Sequence, residues 1–299
     1  MISVKNVSKS FADLEALQNV NLNVNKGSIY GLVGSNGAGK TTLLKLLAGI
    51  YKQDTGIVQI AGENVFENVL TKSEIVFIPD SLYFFSQYTI DNMANYYKNI
   101  YPKWNNERFE NLIKVFDMDV NKKINSLSKG MQRQVAFWLA LSTMPKVMIL
   151  DEPLDGLDPV MRQKVKNLII QDVADKEMTI IISSHNLREL EDICDHIGIL
   201  HKGTLIVEKD LDALKSDVHK IQIAFKDKVP KELLSGANIL HKEERGIVLL
   251  LIVRGNKSDV INYFNKFNPV IMDVLTLTLE EIFIYEMGAV NYEIENIML

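Results

Sequence analysis

Nine residues constrain this chain more than any others: Gly34-Ser35-Asn36-Gly37-Ala38-Gly39-Lys40-Thr41-Thr42. They fit the pattern Gly-x-x-x-x-Gly-Lys-[Ser/Thr], and the flanks supply the structural context that the pattern needs. Upstream, Ile29-Tyr30-Gly31-Leu32-Val33 is an apolar run that reads as a buried strand. Downstream, Leu43, Leu44, Leu46 and Leu47 recur at helical spacing, so the nine residues join a strand to a helix. Glycines let a backbone wrap an anion with its N–H groups, and a helix N-terminus adds a favourable dipole. Lys40 supplies a point charge for terminal phosphates, and the Thr41 hydroxyl suits Mg2+. An incidental glycine-rich turn has no need of strand, loop and helix in register. The stretch predicts a nucleoside triphosphate site in an α/β core.

At 299 residues the chain is longer than most single cores, which predicts a main domain and an addition. A formal charge of −5 argues against a general nucleic-acid binder, and none is expected as a partner. The single cysteine, Cys194, excludes an internal disulfide framework and fits a reducing compartment. Set between Ile193 and Ile197, it reads as a core thiol. The first 25 residues have no long hydrophobic centre of the kind a secretory signal carries. The longest clean apolar run, Ile247 to Val253, falls far short of the roughly 20 residues that span a bilayer. A cytoplasmic location follows as the expectation, with any membrane role exercised through a partner. The five histidines show no close pairing of the kind a metal site uses.

Taken in order, Ser3 to Val7 and Val20 to Val24 alternate like antiparallel strands with one wet face, and Phe11 falls on their connection. Phe11 can fill core, or stack on adenine ahead of the glycine loop. Val58 to Ile60 and Ile75 to Ile78 read as further strands, the second ending at Pro79-Asp80. From about residue 81 to 145 the character turns helical, with Thr89 as a cap and a stripe of Phe109, Leu112, Ile113 and Phe116. Val147-Met148-Ile149-Leu150 then runs into Asp151-Glu152, a buried strand with acids at the carboxyl end, where open α/β sheets bind ligands. Thr179 to His185 delivers polar groups to the same edge, and Ile197 to Leu200 with Leu205 to Val207 reads as a terminal hairpin. Beyond Ser216, alternation at Ile221, Ile223 and Phe225, a buried strand from Ile247 to Val253 and a helix carrying Val260, Tyr263, Phe264 and Phe267 predict a small α+β appendix. Val274 to Leu279 alternates again and Glu280 to Met287 continues as a short helix. Residues 1–215 are thus the expected main domain and 216–299 an accessory one.

Phosphoryl transfer requires held phosphates, a metal ligand and a group that orients water. Asp151 suits Mg2+, and Glu152 suits activation of the attacking water. Leu127-Ser128-Lys129-Gly130-Met131-Gln132 then opens a helix with Met131, Val135, Trp138 and Leu139 on one face. With the glycine loop and the acid pair, this stretch resembles the ATP-binding cassette (ABC) family, whose signature loop reads Leu-Ser-Gly-Gly-Gln. The resemblance covers Ile2 to about Val207, in the family's motif order. Asp155-Gly156-Leu157-Asp158 resembles its dimer-contacting loop, and His185 its switch histidine.

The resemblance implies a P-loop NTPase core of mixed sheet with an antiparallel β edge and a helical insertion. It implies ATP and Mg2+ as ligands, with Phe11 near the base, residues 34–42 around the phosphates, and Thr41, Asp151 and Asp80 toward the metal. Lys40, Glu152 and His185 take the catalytic places. A head-to-tail dimer, with itself or another cassette, is implied, Ser128 and Gly130 of one subunit capping the γ-phosphate of the other. Lys129 replaces the first signature glycine, and Asp80 stands where the family usually has a glutamine that senses Mg2+. A single cassette with a helical insertion and a modest C-terminal appendix, and the ending near Leu279-Glu280-Glu281-Ile282-Phe283, resemble bacterial exporter ATPases for drugs, antibiotics or peptides, including phenol-soluble modulins. Such a subunit sits at the inner face of the membrane through its permease. The alternative is a non-transport cassette of translation or DNA repair. Those relatives carry two cassettes or a long coiled coil, and this chain has neither. A small-molecule kinase would share the glycine loop but gives no reason for Leu127 to Gln132.

Overall fold

In a computed structural model describing residues 1–226 and 229–288, the alternating start becomes a hairpin of β1 (Ile2–Phe11) and β2 (Leu14–Val24). Val4, Val7, Leu17, Val20 and Leu22 turn inward and are buried; the steps of three from Val4 to Val7 and from Leu17 to Val20 depart from a strand's period of two where the β1–β2 register shifts. Phe11 is the last residue of β1 and not part of a longer connection. Next come β3 (Ile29–Val33), α1 (Lys40–Leu47), β4 (Thr55–Ile60) and β5 (Glu63–Asn64). Because β1 takes β2 on one side and β4 on the other, the antiparallel part is a sheet of its own, ordered β2-β1-β4-β5.

After α2 (Val69–Lys72) and β6 (Ile75–Ile78) the chain makes three helices, α3 (Ile90–Ile100), α4 (Asn106–Phe116) and α5 (Lys129–Ser142). Thr89 caps α3 in a reciprocal box with Asn92. Phe109 and Phe116 of α4 stack on Trp138 at 4.8 and 5.9 Å, and the Trp138 indole donates to the Phe109 carbonyl at 2.8 Å. One apolar face was expected for α5; instead Arg133 to Ser142 are all buried, because α3, α4 and β6 enclose it.

The unit is completed by β7 (Val147–Asp151), α6 (Pro159–Lys176), β8 (Thr179–Ser184), α7 (Leu187–Leu190), β9 (His196–His201) and β10 (Thr204–Asp210). These form a second sheet ordered β10-β9-β3-β8-β7-β6, parallel from β9 to β6, with β10 returning through the turn at Lys202-Gly203. Every residue of β3, β7 and β8 is buried, which suits continuous apolar runs covered on both faces. One core joins Val4 and Leu22 of the antiparallel sheet, Leu43 and Leu47 of α1, and Ile149 and Ile181 of the parallel sheet. Cys194 lies buried within this unit, and burial pushes its thiol pKa up, as a core role requires.

The compact units are Met1–Glu208 and Lys209 onward, so the second starts shortly before Ser216, where the apolar pattern changes. The reason is α8 (Leu211–Asp217), which packs on β11 (Val218–Ala224). There follow β12 (Asn238–Arg245), β13 (Val248–Arg254), α9 (Lys257–Asn265), β14 (Ile271–Leu275) and α10 (Leu279–Gly288). The sheet is antiparallel, ordered β12-β13-β11-β14, around Ile221, Ile223, Leu251, Val253 and Phe264. Ile247, expected inside a buried strand, is 79% exposed, because Gly246-Ile247 is the turn between β12 and β13. The part of the expected accessory domain beyond Gly288 lies outside the described residues. Among those described, no helix is long and apolar enough to cross a membrane.

Candidate functional site

Parallel register brings three strand ends to one edge: Asp151 stands beside Ser183, and Val33, just before the glycine loop, beside Ser184. Gly39 begins α1 at φ +107°, and a Cβ there would stand 2.6 Å from the Ala16 carbonyl. A Cβ on Gly34 would collide with the Leu200 carbonyl. The loop is therefore pressed against the N-terminal hairpin and β9, and only glycine fits these two places. Ser35 to Thr42, with Phe11, Asp80 and Glu152, line a cavity of about 530 Å³.

Lys40 is buried, its ammonium donating to the Gly34 carbonyl at 2.6 Å and facing Glu152 Oε1 at 3.2 Å. Glu152 Oε1 receives no hydrogen bond, so charge rather than donor alignment holds that contact. Glu152 Oε2 accepts from the His185 backbone N–H at 3.2 Å and lies 3.0 Å from His185 Nδ1. Thr41 Oγ1 donates to Asp151 Oδ2 at 2.7 Å, and Ser183 Oγ donates to Asp151 Oδ1 at 2.7 Å. Ser183 Oγ also accepts from the Glu152 N–H at 2.9 Å. That bond helps hold Glu152 at φ +45°, a left-handed backbone unusual for a residue with a side chain. The structure thus brings Lys40, Thr41, Asp151, Glu152 and His185 together.

Phe11 borders the same cavity, half-exposed, its ring edge-on to Tyr51 at 5.3 Å. Asp80 borders it as well, but its carboxylate faces Arg133 Nη2 at 3.5 Å while the same nitrogen donates to the Asp80 carbonyl at 2.9 Å. Ser128 and Gly130 do not line the cavity that holds Lys40. Ser128 caps α5 by accepting from the Met131 N–H at 3.2 Å. Gly130 is glycine for a local reason too, since a Cβ would come 2.5 Å from the Gly156 carbonyl.

The sequence did not disclose three of these relations. Ser183 as a bridge between Asp151 and Glu152 follows from strand register alone. Arg133 as the holder of Pro79-Asp80 depends on how α5 packs beside β6. Asp155 meets Glu152 and His185, one ligand atom of each lying within 4.8 Å of the others, although no histidine pairing had suggested convergence. Alignment on Leu127-Ser128 also puts Met131, not Gln132, at the glutamine of the signature pattern; the Gln132 side chain instead donates to the Leu127 carbonyl at 3.0 Å.

Residues 17–155 match a family described as ABC transporter. The chain is 31% identical over 288 residues to the ABC transporter ATP-binding protein YtrB of Bacillus subtilis (strain 168), covering 96% of this chain and 98% of that one. It is 32% identical to the lantibiotic transport ATP-binding protein SrtF of Streptococcus pyogenes, over 75% of this chain and 98% of that one. A solved ATP-binding subunit of an ABC transporter superposes with a TM-score of 0.67 at 26% identity, over 72% of this chain and 92% of that one.

Proposed function

We propose that this chain, which belongs to the ABC transporter family as an ATP-binding and ATP-hydrolysing subunit, drives an exporter of antibiotic-like or amphipathic peptides through separate membrane-spanning subunits. The observation that carries the hydrolytic part is the convergence of Lys40, Glu152 and His185 on one sheet edge beside the Thr41–Asp151 pair. Lys40 binds the terminal phosphates. Glu152, braced by Ser183 from behind, orients a water and takes up its proton as attack proceeds. His185, bonded to the same carboxylate, holds Glu152 in place and can donate toward the phosphoryl oxygens. Thr41 Oγ1 and Asp151 Oδ2, hard oxygens 2.7 Å apart, fit Mg2+ and would hold it. When bound, the ion neutralises charge on the transferring phosphoryl group. Phe11 offers an aromatic face for adenine.

Ser128 and Gly130 lie outside the cavity of their own chain, which supports their acting on the nucleotide of a second subunit in a head-to-tail dimer. The subunit then works at the inner face of a membrane, held there by its permease. The non-transport alternative is not favoured, since the relative aligned nearly end to end is a transporter ATP-binding protein.

The export reading is tested by deleting the gene and measuring sensitivity to lantibiotics. Sensitivity should rise by more than the spread between replicate dilution series. Wild-type chain should restore resistance and Glu152→Gln should not. Unchanged sensitivity across lantibiotics and other amphipathic peptides would contradict the cargo class.

A further inference from the structure

The histidine that touches Glu152 is itself held from behind. Its neighbour Ser184 is buried at the end of β8; its hydroxyl donates to Glu189 Oε2 at 3.2 Å and accepts from the Asn186 N–H at 2.9 Å. Glu189 lies on α7 with a side chain only 10% exposed, and its other oxygen pairs with Arg162 Nη1 at 3.0 Å. Arg162 stands in the first turn of α6, and its Nη2 reaches the Leu157 carbonyl at 3.5 Å. One enclosed carboxylate therefore spends an oxygen on each side. One faces the strand end that carries His185, the other the helix that carries the Asp155–Asp158 loop. At the far side of the same two segments, His185 and Asp155 converge on Glu152.

An exposed ion pair would be a slack link, since solvent and entropy cancel most of its worth. The Arg162 side chain is 36% exposed and partly screened, but Glu189 is enclosed, and without its cation an uncompensated buried charge is left behind. We propose that Arg162 and Glu189 are positioning residues for ATP hydrolysis: they clamp the histidine loop to the Asp155–Asp158 loop, so that His185 and Asp155 take their places against Glu152 together. The clamp rests on the reading of Glu152 and His185 given above. If the Asp155–Asp158 loop meets a second subunit, the clamp carries that contact to the hydrolytic histidine through three side chains.

The test is steady-state ATP hydrolysis by the full chain carrying Glu189→Gln, His185→Ala or both, with Arg162→Gln and Arg162→Lys alongside. Glu189→Gln keeps the size and the acceptor for Ser184 and removes the charge that holds Arg162. It should lower kcat about tenfold and change the KM for ATP by less than about twofold, the pattern of an interaction made only on the way to the transition state. Because Glu189 acts chiefly through His185, its loss should shrink to about twofold or less once His185 is alanine, Asp155 being the part of the clamp left to disturb, whereas a general structural defect multiplies. Arg162→Lys should recover most of what Arg162→Gln loses. If Glu189→Gln does not fold, Ser184→Ala cuts the link on its other side and should show the same non-additive loss. Normal turnover in Glu189→Gln, or losses that multiply in the double variant, overturns the clamp while a defective His185→Ala leaves the site reading standing. Full turnover in His185→Ala alone is a different result: it removes the histidine role on which the clamp depends.

Discussion

Glu152 meets three constraints at once: a left-handed backbone, a lysine on one carboxylate oxygen and a histidine on the other. Glu152→Gln keeps shape and loses basicity, so ATP affinity should stay within about threefold while kcat falls at least about 100-fold, the usual scale of a lost general base. Lys40→Ala should reverse the pattern. A buried cation that carries the phosphate charge disappears, and affinity measured by calorimetry should fall about tenfold or more, the scale of a lost charged hydrogen bond. Wild-type kcat in Glu152→Gln, or wild-type affinity in Lys40→Ala, contradicts the assigned roles. These residues were legible in the sequence because each sits in a short local pattern: lysine and threonine after glycines, acids after four apolar residues. Ser183 between Asp151 and Glu152, and Arg133 on Asp80, were not. Each joins positions more than thirty residues apart, and only strand register or helix packing brings them together.

At the level of elements, legibility followed burial. β3, β7 and β8 carry continuous apolar stretches with polar residues only at the ends of β7 and β8, and read directly as strands covered on both faces. β12 is not legible in the sequence because most of it is exposed and His241-Lys242-Glu243-Glu244-Arg245 hides any alternation. Without β12, the turn at Gly246-Ile247 has no hairpin to belong to, and Ile247 reads as part of the following strand. α6 carries no clean apolar stripe; only Val165, Lys166, Ile169 and Asp172 are buried on it. One tie between elements gives a pH test. Glu74, just before β6, pairs with Lys146 at 2.7 Å and Lys103 at 3.0 Å. Burial raises the Glu74 pKa, the hydrogen bonds from Lys146 and Lys103 outweigh it, and the net shift is downward. A lowered folded pKa gives stability that is present above the unfolded value of 4.5 and is lost as pH falls through the folded one. Both lysines are about half exposed, so the contribution is at most about 1 kcal/mol. The melting temperature of Glu74→Gln should lie slightly below wild type at pH 7 and converge with it below pH 4.5. A gap that persists or widens in acid contradicts the tie.

For the whole molecule, the sequence reads as a main domain of residues 1–215 and an appendix of 216–299, whereas the compact units divide at Glu208/Lys209. Sequence patterns report where apolar residues recur, whereas the division reports which segments pack together, and α8 packs on the strand that follows it. In the proposed assembly, ATP bound at Lys40 of one subunit is completed by Ser128 and Gly130 of another. The glycine loop and the Ser128 cap are built independently within the chain, each with its own local bonds. Damage to the cap should therefore leave nucleotide binding by the monomer intact and remove only the dimer. An arginine at Ser128 places bulk at the helix N-terminus that is to meet the second subunit's nucleotide. The direct measurement is sedimentation velocity in Mg-free ATP, using Glu152→Gln to prevent turnover, with and without Ser128→Arg. Glu152→Gln should sediment as a dimer and the double variant as a monomer that still binds ATP; equal dimerisation of the two rules out the trans role of Ser128.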